Sequence, residues 1–306
     1  MSRGTAAIVL LAFLACPALA QDRGTLDPKP LPPLENPKDP KIPAKQLFGR
    51  KATPTKGHTD VHGFYSKGCL QGGKALPING PTWQVMRLSR NRNWGTPQII
   101  HFLEKFSAKV PKVSDWKGIL VGDMAQPRGG PMITGHTSHQ IGLDADIWLT
   151  PMPDHEQSRQ EREEKSATMI VRDDRLDVDP KVWTPSLLNV IKAAAQEPEV
   201  ERILVNAAIK KAICREAKGD RSWLWKVRPF WGHDYHMHVR IKCPANYPEC
   251  KPQDPPKYED GCGEDLAKWF KPQIVKRDEP IIPKKPKPPL RLADLPPACR
   301  AVVNAP

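Results

Sequence analysis

The chain is predicted to be an α+β protein: a single domain built on a central, mostly antiparallel sheet flanked by helices, with proline-rich N- and C-terminal extensions. Three observations predict it. Tyr235, Met237, Val239 and Ile241 alternate with Asp234, His236, His238 and Arg240, a period-two pattern that reads as a half-buried strand. Leu143, Ala145, Ile147 and Leu149 alternate with Asp144, Asp146 and Trp148 in the same way. Between and around these strands, apolar residues recur at helical spacing, as in Ile99, Leu103, Phe106 and Val110.

Residues 1–20 combine Arg3, an apolar run from Ala6 to Ala15 and the small-x-small pattern Ala18-Leu19-Ala20. This is the form of a secretory signal peptide, with cleavage placed after Ala20. Cys16 raises a lipoprotein alternative, against which stands Phe13 where a branched aliphatic is usual. No other apolar run approaches 18 residues, so no transmembrane segment is expected. Residues 21–56 carry proline at a density that blocks helix and sheet pairing, and are read as an extended arm. The folded domain is placed at 57–270 and a second proline-rich tail at 271–306.

Within the domain, Trp83–Arg87 reads as a short strand, Pro97 opens a helix, and Gly118–Asp123 reads as a buried strand. Residues 154–168 are almost wholly polar and read as an exposed loop or solvated helix. Leu187, Leu188, Ile191 and Ala195 define a helix opened by Pro185. Arg202–Val205 is a strand, after which Asn206 caps a helix with Ile209, Ala212 and Ile213 facing inward. Leu266, Trp269 and Phe270 suggest a last short helix. His58, His62, His101 and His155 read as surface residues.

The chain carries 47 Lys and Arg against 34 Asp and Glu, a formal charge of +13. Such a balance can mean nucleic acid, but export argues against that partner; a polyanionic envelope or an acidic glycopeptide fits better. Beyond the leader lie six cysteines: Cys69, Cys214, Cys243, Cys250, Cys262 and Cys299. An even count in an exported chain favours disulfides, and the absence of Cys-x-x-Cys disfavours a cysteine-bound metal. The short turn-rich interval makes Cys243 and Cys250 a plausible local pair; composition alone leaves the pairing open.

The chemistry concentrates in two stretches. Three of the nine histidines, His233, His236 and His238, fall within six positions. On a strand His236 and His238 share a face, about 7 Å apart. Gly135–Trp148 adds His136, His139, Asp144 and Asp146. Pairing of the two strands would gather His139, Asp146 and His238, a ligand set suited to Zn2+ that leaves a fourth position for water. A water so placed is a nucleophile near neutral pH. A histidine that is not a ligand, here His236, can move its proton to a leaving amine. The expected reaction is amide hydrolysis. Ser138 beside His139 does not make a serine hydrolase, because adjacent residues on an extended segment point apart.

At these residues the chain resembles the zinc peptidases of the lysostaphin, D-Ala-D-Ala-metallopeptidase and hedgehog fold group. Within that group it resembles most the penicillin-insensitive murein endopeptidases. The resemblance runs from about Cys69 to Cys299. It is carried by Gly135-His136-x-x-His139-Gln140-x-Gly142-Leu143-Asp144-x-Asp146, by Ile203-x-Val205-Asn206-x-Ala208-Ile209-Lys210, and by Val227-Arg228-Pro229 through His236-Met237-His238-Val239-Arg240. It implies zinc held by His139, Asp146 and His238, with His136 as an additional ligand. It also implies His236 as general base and His233 as a flanking catalytic partner. The pairings it implies are Cys69–Cys299, Cys214–Cys262 and Cys243–Cys250. The implied activity is periplasmic hydrolysis of D-alanyl to meso-diaminopimelyl cross-links in peptidoglycan by a zinc-activated water, insensitive to penicillin because no serine nucleophile is used.

One departure stands out. Related chains can carry an Asp-x-x-His for a second metal, whereas residues 172–177 here contain no histidine. The competing reading of the whole chain is a non-catalytic peptidoglycan-binding or metal-binding envelope module, since fold does not fix function. The sequence leaves open a homodimer, the preferred cross-link and the role of the arms.

Overall fold

The computed structural model describes residues 23–275 and 288–306. The leader assigned to 1–20 lies outside the described residues, as does the Lys-Lys-Pro-Lys run of the tail. In chain order the elements begin with α1 (Ala44–Phe48), the hairpin β1 (Asp60–Phe64) and β2 (Lys67–Gln71), and the short strands β3 (Lys74–Ala75), β4 (Asn79–Gly80), β5 (Trp83–Val85) and β6 (Trp94–Gly95). Next come α2 (Pro97–Val113), β7 (Ile119–Val121), β8 (Asp144–Pro151), α3 (Arg159–Glu164), α4 (Pro185–Ala195), β9 (Val200–Val205) and α5 (Ala207–Glu216). The chain continues through β10 (Val227–Pro229), β11 (His236–Ile241), α6 (Glu264–Ala267), α7 (Pro272–Val275) and α8 (Ala298–Asn304).

Among the described residues the central sheet has seven strands in the order β10-β9-β11-β8-β7-β5-β4. Its β9–β11, β11–β8, β8–β7 and β5–β4 pairings are antiparallel; β10–β9 and β7–β5 are parallel. The two strands singled out by their alternation therefore lie side by side at the middle. Their register sets His238 opposite Asp146, Arg240 opposite Asp144 and His236 opposite Trp148. With a side-chain period of two, that register decides which face carries the chemistry. Ala145, Ile147, Leu149, Met237, Val239 and Ile241 enter one continuous core with α2, α4 and α5. The histidines and carboxylates are left on the opposite face.

The helices start where local chemistry directs. Thr96 and Thr184 each accept a hydrogen bond from the third residue on, with proline at the first helical position. The Asn206 side chain accepts from the Ala208 amide at 2.8 Å and starts α5. Among the described residues three disulfides form, Cys69–Cys299, Cys214–Cys262 and Cys243–Cys250. They are the pairs the family resemblance implies.

Several local expectations are corrected. The segment 21–56 is not wholly extended: Ala44–Phe48 forms a helical turn, and Phe48 is fully buried in a second apolar cluster with Cys69, Leu295, Cys299, Val302 and Val303. The end of the tail is helical as α8 and completes that cluster. Arg128 fastens it, donating to the carbonyls of Val302, Ala305 and Pro306. The polar stretch 154–168 is not simply solvated. Arg162 and Glu163 of α3 are buried, because the Arg162 guanidinium donates to the carbonyls of Ile78, Val85 and Gln157. Glu163 accepts from the amide and hydroxyl of Ser89. His62 is buried too, its Nδ1 2.9 Å from Glu249 Oε2 on a partner loop 187 residues away.

Candidate metal centre

Two strands and one turn build the site. β11 supplies His236 and His238, and β8 supplies Asp144 and Asp146 on the matching face. The turn before β8 supplies His136 and His139. His139 sits in the left-handed region at φ 65°, and Gly142 at φ 70° brings the chain back into β8. A Cβ at Gly142 would lie 2.8 Å from Leu70 Cδ2 and 3.0 Å from the Gly95 Cα, so only glycine passes there.

The structure brings His139, Asp146 and His238 to one point. His139 Nε2 and His238 Nδ1 are 3.0 Å apart, His238 Nδ1 and Asp146 Oδ1 3.1 Å, and His139 Nε2 and Asp146 Oδ1 3.4 Å. Ligands about 2.1 Å from a tetrahedral ion lie about 3.4 Å from one another, so this triangle has the edges of one face of such a shell. His136 approaches from the side. Its Nε2 is 3.4 Å from Asp146 Oδ2, and one ligand atom from each of His136, His139 and Asp146 lies within 4.8 Å of the others. The His136 nitrogen is also held at 3.0 Å by Asp123 Oδ2, on which Arg90 and Arg92 converge.

His236 lies on the same strand face, its Nε2 3.7 Å from Asp146 Oδ2. His233 flanks it, the two rings 4.7 Å apart. All six predicted site residues thus lie in one constellation. His62, His58, His101 and His155 are not among them.

Asp144 is the residue to which the sequence reading gave no role. Its Oδ1 accepts from His238 Nε2 at 3.1 Å and from Arg240 Nε at 2.7 Å. Its Oδ2 accepts from the His139 backbone amide at 3.0 Å. One carboxylate therefore orients the His238 imidazole and pins the backbone turn that carries His139. A signal for it existed: Asp144 and Arg240 share the polar phase of the two alternating patterns. Asp123, held by pairing partners far apart in sequence, had no comparable signal.

The electrostatics suit a cation. Burial opposes charge on His238, but the Asp144 and Asp146 carboxylates override it and push the imidazole up to about 9. Burial takes His139 the other way, down to about 4, which leaves a bare ring nitrogen at neutral pH. Burial would raise Asp146, yet the surrounding imidazoles of His236, His139 and His136 hold it well below the usual carboxylate range. His139 Nδ1 is buried with no hydrogen-bond partner among the described residues. Two imidazole nitrogens and an ionised carboxylate, buried and mutually within 3.4 Å, form a donor set for a divalent metal ion.

Comparison with known proteins points to one family. Residues 61–304 match the model of the family described as penicillin-insensitive murein endopeptidase. A protein of that name from Pectobacterium atrosepticum is 41% identical over 261 residues, covering 85% of this chain and 90% of its own length. Its counterpart from Yersinia enterocolitica is 42% identical over 251 residues, covering 82% and 88% respectively. One from Klebsiella pneumoniae is 41% identical over 254 residues with the same coverage.

Proposed function

Because the chain belongs to the penicillin-insensitive murein endopeptidase family, we propose that it is a periplasmic zinc metallo-endopeptidase of peptidoglycan. Its substrate is the peptide cross-link of murein, cut at D-alanyl to meso-diaminopimelyl bonds. The observation that carries the reading is the triangle of His139 Nε2, Asp146 Oδ1 and His238 Nδ1, with edges of 3.0, 3.1 and 3.4 Å.

Zinc, when bound there, supplies Lewis acidity toward a water and the scissile carbonyl. The chain's own side chains do the rest. Asp144 accepts the His238 Nε2 proton and fixes the ring, so a cation bound in the triangle would displace the second proton, which the two carboxylates otherwise keep on Nδ1. His139 and Asp146 complete the grip, and His136 stands by as an additional ligand held on Asp123. His236, beside Asp146 and outside the triangle, takes the proton of the attacking water and returns it to the leaving amine. His233 donates its Nδ1 proton to the Trp231 carbonyl at 2.7 Å, so its Nε2 is left as an acceptor on a ring 4.7 Å from that of His236 and 5.9 Å from that of His238. Burial and the neighbouring His236 and His238 hold His233 down to about 3, and it stays neutral. No serine nucleophile takes part, so a β-lactam has nothing to acylate.

The test uses purified cross-linked muropeptide dimers, with and without chelator and with zinc restored, read by chromatography and mass spectrometry. Conversion of dimers to monomers, lost with chelator and regained with zinc, is expected. Release of free D-Ala without splitting of dimers would reassign the enzyme as a carboxypeptidase. Co-sedimentation with sacculi without any cleavage would support the non-catalytic module instead.

A further inference from the structure

The turn that carries His233 is held in an unusual way. Gly232 and His233 are consecutive left-handed residues, at φ 65° and 59°. A non-glycine residue in that region costs conformational energy and persists only where its surroundings hold it.

Three groups do the holding. The Asn206 amide donates to the His233 carbonyl at 3.1 Å. The Asn206 side chain donates to the Gly232 carbonyl at 3.2 Å and to Asp234 Oδ1 at 2.6 Å. Arg175 then grips the same Asp234 carboxylate with two parallel bonds, Nη1 to Oδ2 and Nη2 to Oδ1, each 3.0 Å. Arg175 stands at the tip of a loop closed by the Val171–Val178 bridge and by the Arg172 amide on the Asp177 carbonyl. The Asp234 carbonyl is tied to that loop as well, accepting from the Ile170 amide at 2.9 Å. Arg175 touches none of the candidate ligands in any of these bonds. These two bonds connect it to Asp234, the neighbour of His233.

We propose that Arg175, acting through Asp234, is a positioning residue that sets the His233 imidazole beside His236. The proposal rests on the endopeptidase reading for its catalytic consequence, but the placement itself stands apart from it. The Arg175 and Asp234 side chains are 21% and 13% exposed, and the pair sits at a loop tip, so its loss should move the turn more than it unfolds the domain. The two-bond geometry needs a planar fork. Lysine, a point charge, reproduces the attraction without the orientation.

The experiment compares wild type, Arg175→Ala and Arg175→Lys by turnover of muropeptide dimers, metal content, thermal unfolding and nitrogen-15 NMR of the histidine rings. For Arg175→Ala the turnover number is expected to fall about 10- to 100-fold. KM and metal content should stay within about twofold, and the His233 Nδ1–H resonance should shift or vanish. Added guanidinium ion should restore part of both signals, and lysine should restore less. Wild-type turnover with unmoved His233 resonances in Arg175→Ala would overturn the proposal. Loss of metal or a collapse in unfolding temperature matching the loss of turnover would also overturn it, by making the role merely structural. A wild-type chain that leaves dimers whole would refute the endopeptidase reading, and the NMR comparison would still decide the positioning claim.

Discussion

The Asp144 carboxylate accepts the Nε2 proton of His238 at 3.1 Å, and through its other oxygen it accepts the backbone amide of His139 at 3.0 Å. The first bond sets the tautomer of one imidazole, and the second pins the turn that aims the other. Arg240 on the same strand face balances the charge. Burial would raise Asp144, but Arg240 and His238 hold it far below the usual carboxylate range, so it remains an acceptor at any pH where the protein works.

This predicts the effect of Asp144→Asn. The neutral amide keeps the size but loses the charge that makes the His238 Nδ1 basic, and it leaves Arg240 without its counter-ion. Metal affinity should weaken about 10- to 100-fold, measured by competition with a chelating dye. Unchanged affinity would remove Asp144 from the account.

His236→Ala separates holding the metal from using it. The residue is outside the triangle, so metal content should stay near one per chain while dimer cleavage falls by about 10²- to 10⁴-fold. Turnover that survives intact would dismiss His236 as the base.

A third prediction concerns stability and pH. Lys210 is fully buried on α5, and its ammonium donates to the carbonyls of Leu224 and Asp260 at 2.9 and 2.6 Å. Burial, with Arg228 nearby, takes its pKa down to about 7. Between that value and the ordinary lysine range near 10.5, the unfolded chain binds the proton and the folded chain does not, so stability rises with pH. Below about 7 both states are protonated, and this residue adds no slope. Denaturant unfolding of wild type relative to Lys210→Met should therefore gain up to about 1.4 kcal/mol per pH unit between pH 7 and 10. A difference flat across that window would show that the group stays charged when folded.

The Cys69–Cys299 bond joins residues 230 apart and clasps α8 to the hairpin. Replacing both cysteines with serine should cost about 2–5 kcal/mol of stability, seen as a lower unfolding temperature. Cleavage of dimers should persist below it, because the clasp lies outside the triangle of His139, Asp146 and His238. A double variant as stable as wild type would show that the apolar cluster around Phe48 and Val302 suffices.

How much of this was legible beforehand follows from how far each feature depends on distant partners. The two alternating stretches announced their strands, and with period two they also announced which side chains share a face. The shared polar phase of Asp146 and His238 was thus legible in the sequence pattern. Arg162 and His62 were not. Their burial depends on carbonyls near residue 80 and on Glu249, groups that no local pattern connects to them. The helix α8 follows a proline-dense stretch whose composition argues for extension, and it forms because Val302, Val303 and Cys299 have a cluster to enter. The disulfide pairing came from family resemblance, since spacing alone permits several solutions. Arg175 stayed hidden because a lone arginine in a polar loop carries no signal until Asp234 stands beside it.

The central claim is that His139, Asp146 and His238 hold one metal ion. The most direct measurement is an anomalous-scattering map, collected at the zinc edge from crystals of the chain. The account predicts one strong peak about 2.0–2.2 Å from His139 Nε2, His238 Nδ1 and a carboxylate oxygen of Asp146. An empty map at that point from an active, zinc-supplied preparation, or a sole peak elsewhere in the molecule, would contradict it.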